Sequence, residues 1–213
     1  MGRLMGLEPM SAGATIQCVN QLHHSRHSAP LLLHKCTSNC NSKLKKICCI
    51  IFIKNGGVYM SYEKAKTYLE EKGYADNIII PETKSGTVEE AANALGVKPE
   101  MIAKTLSLLI HDEVILIVTE GTSKIDNHKY KQTFHIKAKM IPYDEVETLV
   151  GHAPGGVCPF GIHEGIKVYL DKSLQKFETV YPACGSDQSA VKMSIQELED
   201  ASNYVKWVDV CKE

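Results

Sequence analysis

The chain predicts an α+β fold, one mixed domain with more strands than helices, and three observations carry that reading. Apolar residues recur at helical spacing in some stretches and in short buried-strand runs in others. Two capping-box signatures open helical stretches. No repeat or low-complexity linker interrupts residues 60–213. With 213 residues and 44% hydrophobic content, the chain is long enough to bury one proper core.

Taken in order, Ser61 is placed to cap a helix running to Lys72, with Ala65 and Leu69 one turn apart and Gly73 as its stop. Thr87-Val88-Glu89-Glu90 is a capping box, after which Val88, Ala91, Ala92 and Leu95 follow i, i+3, i+4, i+7 spacing up to Gly96. Thr105–Ile110 and Val114–Thr119, joined by His111-Asp112-Glu113, read as a hairpin of largely buried strands. Asp126–Phe134 and Tyr143–Val150 look helical, the second entered at Pro142 and closed by Gly151. Ile166–Leu170, Phe177–Tyr181 and Ser189–Met193 are strands by composition. Ser194-Ile195-Gln196-Glu197 is the second capping box, and Tyr204–Cys211 alternates as a last strand.

Residues 1–59 differ sharply from the rest. They hold seven Lys and Arg against one acid, Glu8, whereas residues 60–213 hold seventeen against twenty-four, giving net charges of +6 and −7. Cys18, Cys36, Cys40, Cys48 and Cys49 fall in this first segment without any periodic apolar pattern, so it reads as a disordered extension. Gly56-Gly57-Val58 can be back-translated into a purine-rich stretch just before the Met60 codon, which resembles a ribosome-binding site. Met60 is accordingly the expected start, and residues 1–59 read as mistranslated upstream sequence. A zinc site on His34, Cys36 and Cys40 lacks a second half. The apolar run Ile47–Ile53 is far short of the ~20 residues that span a bilayer, so no membrane association is expected. The three remaining cysteines, Cys158, Cys184 and Cys211, form no framework and fit a reducing cytoplasm.

Gly151-His152-Ala153-Pro154-Gly155-Gly156-Val157-Cys158-Pro159-Phe160-Gly161 carries the most chemistry. Four glycines and two prolines bar both helix and central strand, so it is a shaped loop whose backbone amides are available to a ligand. Ala183–Ser189 is a second small-residue loop that would complete a narrow pocket if it folds beside the first. Lys104 sits among apolar residues, where an ammonium needs a carboxylate, carbonyl or phosphate partner unless it snorkels to water. Cys158 and His152 leave a thiol nucleophile open, although no acid is placed to orient the imidazole. His111, His128, His135 and His163 are dispersed, so no metal site is expected. Lys124, Lys129, Lys131, Lys137 and Lys139 form a basic cluster that suits either an RNA backbone or a solvated face.

Three stretches together, Gly96–Leu106, Thr148–Gly161 and the loop around Gly185, resemble the YbaK/EbsC and ProX family of aminoacyl-tRNA deacylases, which is related to the editing domain of bacterial prolyl-tRNA synthetases. The resemblance covers residues 60–213. It implies a mixed, mostly antiparallel, barrel-like sheet ringed by helices, and hydrolysis of the ester joining a wrong amino acid to tRNA, without cofactor or metal. Lys104 matches the family's critical lysine, and Gly155–Pro159 its G-x-x-x-P loop, with Gly155 and Lys104 as the catalytic positions. Thr105, His152, Gly156, Cys158, Pro159, Phe160, Gly161 and Gly185 become candidate substrate contacts. Cys158 stands where other members often carry serine or threonine, so the resemblance implies no thiol nucleophile. The implied partner is the acceptor end of an aminoacyl-tRNA, with tRNA-Pro carrying a small wrong amino acid as the candidate substrate and a synthetase as a further candidate partner. On a chain this short the expected form is free-standing. The alternatives are a non-catalytic binding module of the same fold and a Cys158-dependent hydrolase of small thioesters or amides.

Overall fold

Two runs of β-branched and leucine residues separated by a three-residue polar stretch form the spine of the molecule. In the computed structural model, which describes residues 60–83 and 86–212, they become β2 (Ile102–Ile110) and β3 (Glu113–Glu120), paired antiparallel from Ala103 opposite Glu120 to Ile110 opposite Glu113. The turn takes a left-handed residue at His111, φ 54°. Before the hairpin come helix α1 over 60–72, β1 (Ile78–Ile79) and α2 (Val88–Leu95). After it come α3 (Asn127–Phe134), α4 (Val146–Val150), β4 (Lys167–Asp171), β5 (Thr179–Pro182), β6 (Ala190–Val191), β7 (Met193–Ser194), α5 (Ile195–Ser202) and β8 (Lys206–Val208). The expected extension, residues 1–59, lies outside the described residues.

The main sheet runs β7-β5-β2-β3-β4-β8, and β1 pairs with β6 in a small second sheet. This is the mixed α+β class that the sequence predicts, an open half-barrel with helices packed on it. Its pairing is more evenly mixed than the expected mostly antiparallel order. The hairpin and the β5–β7 edge are antiparallel, but β2–β5, β3–β4 and β4–β8 are parallel. Parallel neighbours need a crossover, and the long stretches between β3 and β4, and between β4 and β8, supply it.

Alternation along β3 divides the interior in two. Leu116 and Val118 face a cluster with Ala65 and Leu69 of α1, Val146 and Val150 of α4, Leu198 and Ala201 of α5, and Cys158 and Phe160. Ile115 and Ile117 face the other side, against Leu108, Tyr130 of α3, Tyr169 and Val208. Both capping boxes are present, Thr87 with Glu90 and Ser194 with Glu197.

Several boundaries differ from the sequence reading, each for a local reason. α4 begins at Val146 rather than Tyr143, because Pro142–Glu145 closes a turn through a Glu145 amide bond to the Pro142 carbonyl. The expected strand Ser189–Met193 is split at Lys192: β6 joins β1, and β7 joins β5. The last strand stops at Val208, since the amide of Val210 is taken by the buried carboxylate of Asp171 at 2.8 Å.

Candidate functional site

The first turn of α1 organises the site, and it does so through backbone contacts that leave no room for side chains. The Ser61 hydroxyl donates to the Gly151 carbonyl at 3.4 Å and accepts from the Ala153 amide at 3.2 Å, which clamps the entry to the glycine-rich loop. Ser61 therefore lies within the helix as a tether, not at its N-cap as the sequence suggested. Gly185 (φ +73°) would place a Cβ 2.3 Å from the Ser61 carbonyl oxygen, and Gly161 one 2.7 Å from that of Lys64. Both loops are seated on the same helical turn.

The two loops also meet each other. A Cβ on Gly156 would stand 2.5 Å from the Ser186 amide nitrogen and 2.6 Å from the Gly185 carbonyl carbon. Beyond this seam the second loop is cross-linked by its own hydroxyls. Ser189 Oγ donates to the Cys184 carbonyl at 2.8 Å and lies 2.7 Å from Ser186 Oγ, which accepts from the Gln188 amide at 3.3 Å.

Between these loops, β2, α2 and α4 lies a cavity of about 350 Å³, bordered by Lys104, Thr105, Gly155, Val157, Ser186 and Ser189. Ala103, Thr105 and Ser107 share one face of β2 and all border it. The Thr105 hydroxyl oxygen is buried without a hydrogen-bond partner among the described residues, a cost that a polar ligand atom would remove. No carboxylate and no imidazole borders the cavity among the described residues.

Lys104 has the carbonyl partners that its apolar setting demands. Its ammonium donates to the Gly121 carbonyl at 2.8 Å and to that of Ser123. Gly121 can approach because it has no side chain: a Cβ there would fall 2.2 Å from the Pro99 carbonyl oxygen. An ammonium carries three donors, and these two carbonyls take two of them. Burial lowers the Lys104 pKa, opposed by Cys211, Glu120 and Glu89.

Within the loop, donors are divided. The Gly156 amide bonds the Ala153 carbonyl at 3.1 Å, and the Cys158 amide bonds His152 Nδ1 at 3.4 Å. Pro154 and Pro159 have no amide hydrogen. The amides of Gly155 and Val157 remain uncommitted among the described residues, and both residues border the cavity.

His152, Cys158 and Phe160 are each 0% exposed and border no part of it. The side chains of Cys158 and Phe160 belong to the core under the loop, and His152 is buried beside them. Pro159, Gly156, Gly161 and Gly185 likewise shape the backbone without bordering the cavity. The Cys158 thiol lies 3.5 Å from His152 Nδ1 and donates to the Phe160 carbonyl at 3.6 Å. Burial pushes the thiol strongly up and the imidazole down to about 4, so the pair is neutral and no thiolate is set up for attack. In the basic cluster, Lys129 is paired with Asp209 at 2.9 Å, a structural use of one of its members.

The sequence marks Ser61 only as a helix cap, and Ser186 and Ser189 only as members of a small-residue loop, not as site residues. Their signal, a small hydroxyl in a small-residue stretch, is too common to read. Among the described residues no group of three His, Cys, Asp or Glu is arranged to hold a metal ion, and no helix is long and apolar enough to cross a membrane.

Fold and cavity define an α+β domain with a pocket bordered by a glycine-rich loop and a half-buried lysine. The chain belongs to the aminoacyl-tRNA editing domain family, whose model matches residues 82–201. It is 46% identical over 155 residues to the uncharacterized protein YwhH of Bacillus subtilis (strain 168), covering 72% of this chain and 99% of YwhH. It is 26% identical over 147 residues to the proline–tRNA ligase of Shouchella clausii (strain KSM-K16), covering 66% of this chain but only 25% of the ligase. Its fold superimposes with a TM-score of 0.66, at 24% identity, on a crystal structure described as a candidate trans-editing enzyme for prolyl tRNA synthetase, covering 72% of this chain and 98% of that one.

Proposed function

We propose that residues 60–213 hydrolyse the ester of a misacylated tRNA, acting in trans. One observation carries this reading: the cavity brings together three polar groups without a partner among the described residues, the Gly155 and Val157 amides and the Thr105 hydroxyl, and Lys104 borders it as well. That set suits a carbonyl that gains negative charge as it becomes tetrahedral. The match across nearly the whole of YwhH supports action outside a synthetase.

In the reaction, water adds to the ester carbonyl, the acyl carbon–oxygen bond to the ribose breaks, and a carboxylate and a free ribose hydroxyl leave. With no carboxylate or imidazole on the cavity wall among the described residues, the attacking water gives its proton to solvent or to a group of the substrate itself. An aminoacyl ester is already activated, so positioning and charge stabilisation suffice. The loop amides hold the oxyanion and the Lys104 ammonium fixes the ester and ribose end.

The test is incubation with a panel of mischarged tRNAs, including small amino acids on tRNA-Pro, scored by release of the amino acid. Release from at least one of them above the spontaneous rate is expected. A folded protein that binds tRNA but releases nothing would make this a non-catalytic binding module and overturn the reading.

A further inference from the structure

Five large apolar side chains are exposed among the described residues: Met60, Ile80, Met140, Tyr143 and Val205. Singly scattered apolar residues are ordinary on a surface, but these are not evenly spread. Met140, 52% exposed, and Tyr143, 78% exposed, both border the cavity, as does Pro81, next to Ile80. The mouth is therefore rimmed by an aromatic ring and a thioether.

The backbone carrying that rim is fixed on both sides. The Leu109 amide donates to the Lys139 carbonyl at 2.8 Å, and the Ile141 amide to that of Ser107 at 3.1 Å, so the chain on each side of Met140 is tied to β2. The Glu145 amide bonds the Pro142 carbonyl at 3.0 Å, closing the turn that holds Tyr143, and Ile141 and Val146 are buried on either side. The ring is thus held in water by a rigid turn, an arrangement that gains most from covering its face.

We infer that Tyr143, flanked by Met140, is the platform on which the terminal nucleobase of the acceptor end stacks. The inference rests on the proposed function: an ester carbonyl inside the cavity places the base one sugar ring away, at this rim. Every base offers a π face, so the contact needs no hydrogen-bond reading. Charge gives the strand a direction. Lys137 and Lys139 are exposed on the stretch that precedes Met140, whereas Asp144, Glu145 and Glu147 are exposed on the stretch that follows Tyr143. The phosphates leave over the lysines.

The test compares, on the full chain, calorimetric binding of the trinucleotide CCA with that of the same trinucleotide carrying an abasic 3′ residue. Wild type binds CCA about tenfold more tightly, Tyr143→Ala loses that preference with an unchanged melting temperature, and Tyr143→Phe keeps it. A preference that persists in Tyr143→Ala, or is absent from wild type, overturns the platform. Hydrolysis of mischarged tRNA, assayed in parallel, separates the two ideas. Turnover with the same KM in wild type and Tyr143→Ala overturns the platform alone, and a Tyr143-dependent preference for CCA without any turnover overturns only the editing reaction.

Discussion

Gly156 and Ser186 meet backbone to backbone: a Cβ on the glycine would stand 2.5 Å from the serine amide nitrogen. This contact welds the glycine-rich loop to the serine loop and so sets the width of the cavity between them. Gly155, one residue earlier, differs in kind. Its φ of +90° favours glycine, but the nearest atom to an added Cβ is 3.8 Å away. Gly155→Ala should therefore cost only the backbone strain, about 1 kcal/mol. Gly156→Ala must push two backbones apart, at ~1–3 kcal/mol, and should widen the pocket. Thermal melting and deacylation rate, measured together, check this. Equal effects on both would show that the loops are not fixed by the seam.

Lys104→Ala should lower the single-turnover deacylation rate by roughly 100-fold, the scale seen when one positioned electrostatic group is lost. Here the structure adds a stability cost. The Gly121 and Ser123 carbonyls lose their donor in a half-buried place, worth ~1–2 kcal/mol and a few degrees in melting temperature. Lys104→Arg should not restore the rate, because a planar, larger guanidinium does not fit the two carbonyls that hold a compact ammonium. Near wild-type rates in the alanine variant would remove Lys104 from the reaction.

Local rules carried the sequence reading furthest. Thr87 with Glu90 and Ser194 with Glu197 were legible because a capping box is complete within four residues. The hairpin and the glycine-rich loop announced themselves by composition. What stayed illegible depends on distance along the chain. Ser61 touches Gly151, ninety residues on, and Lys104 finds carbonyls at Gly121 and Ser123 that no pattern marks. The parallel pairing of β3 with β4 likewise leaves no trace in either strand alone, because both are buried runs whatever their direction. His152 and Cys158 read as chemistry because imidazole and thiol are reactive in water, yet both are fully buried here.

Cys158→Ser should retain most of the activity. The thiol is 0% exposed, and a serine hydroxyl can make the same bond to the Phe160 carbonyl. Iodoacetamide should leave the thiol unmodified in the native protein and modify it in denaturant. A trapped thioester intermediate, or a rate lost by several orders of magnitude, would establish covalent catalysis instead.

Thr105→Val separates binding from stability. The hydroxyl is buried with no partner among the described residues, and valine keeps the shape and the strand preference, so the melting temperature should hold or rise slightly. Activity should fall about tenfold if the substrate supplies the missing partner, with the loss in kcat/KM. An unchanged kcat/KM would show that no substrate atom meets this oxygen.

His152 makes stability depend on pH in a defined window. Burial holds its pKa at about 4, against 6.5 for an exposed imidazole, so between these values the unfolded chain binds the proton and the native one does not. Stability from this group is complete above about pH 6.5 and is lost as pH falls toward 4. Its full worth is roughly 3 kcal/mol, and nothing further is lost from it at still lower pH. His152→Asn keeps an acceptor near the position of Nδ1 for the Cys158 amide but cannot titrate. Across pH 4 to 7, the variant's melting temperature should therefore fall less steeply with acid than that of wild type, with the two curves diverging below about pH 6. Parallel curves would mean that His152 takes up its proton in the native state, and that the imidazole under the loop is not held neutral.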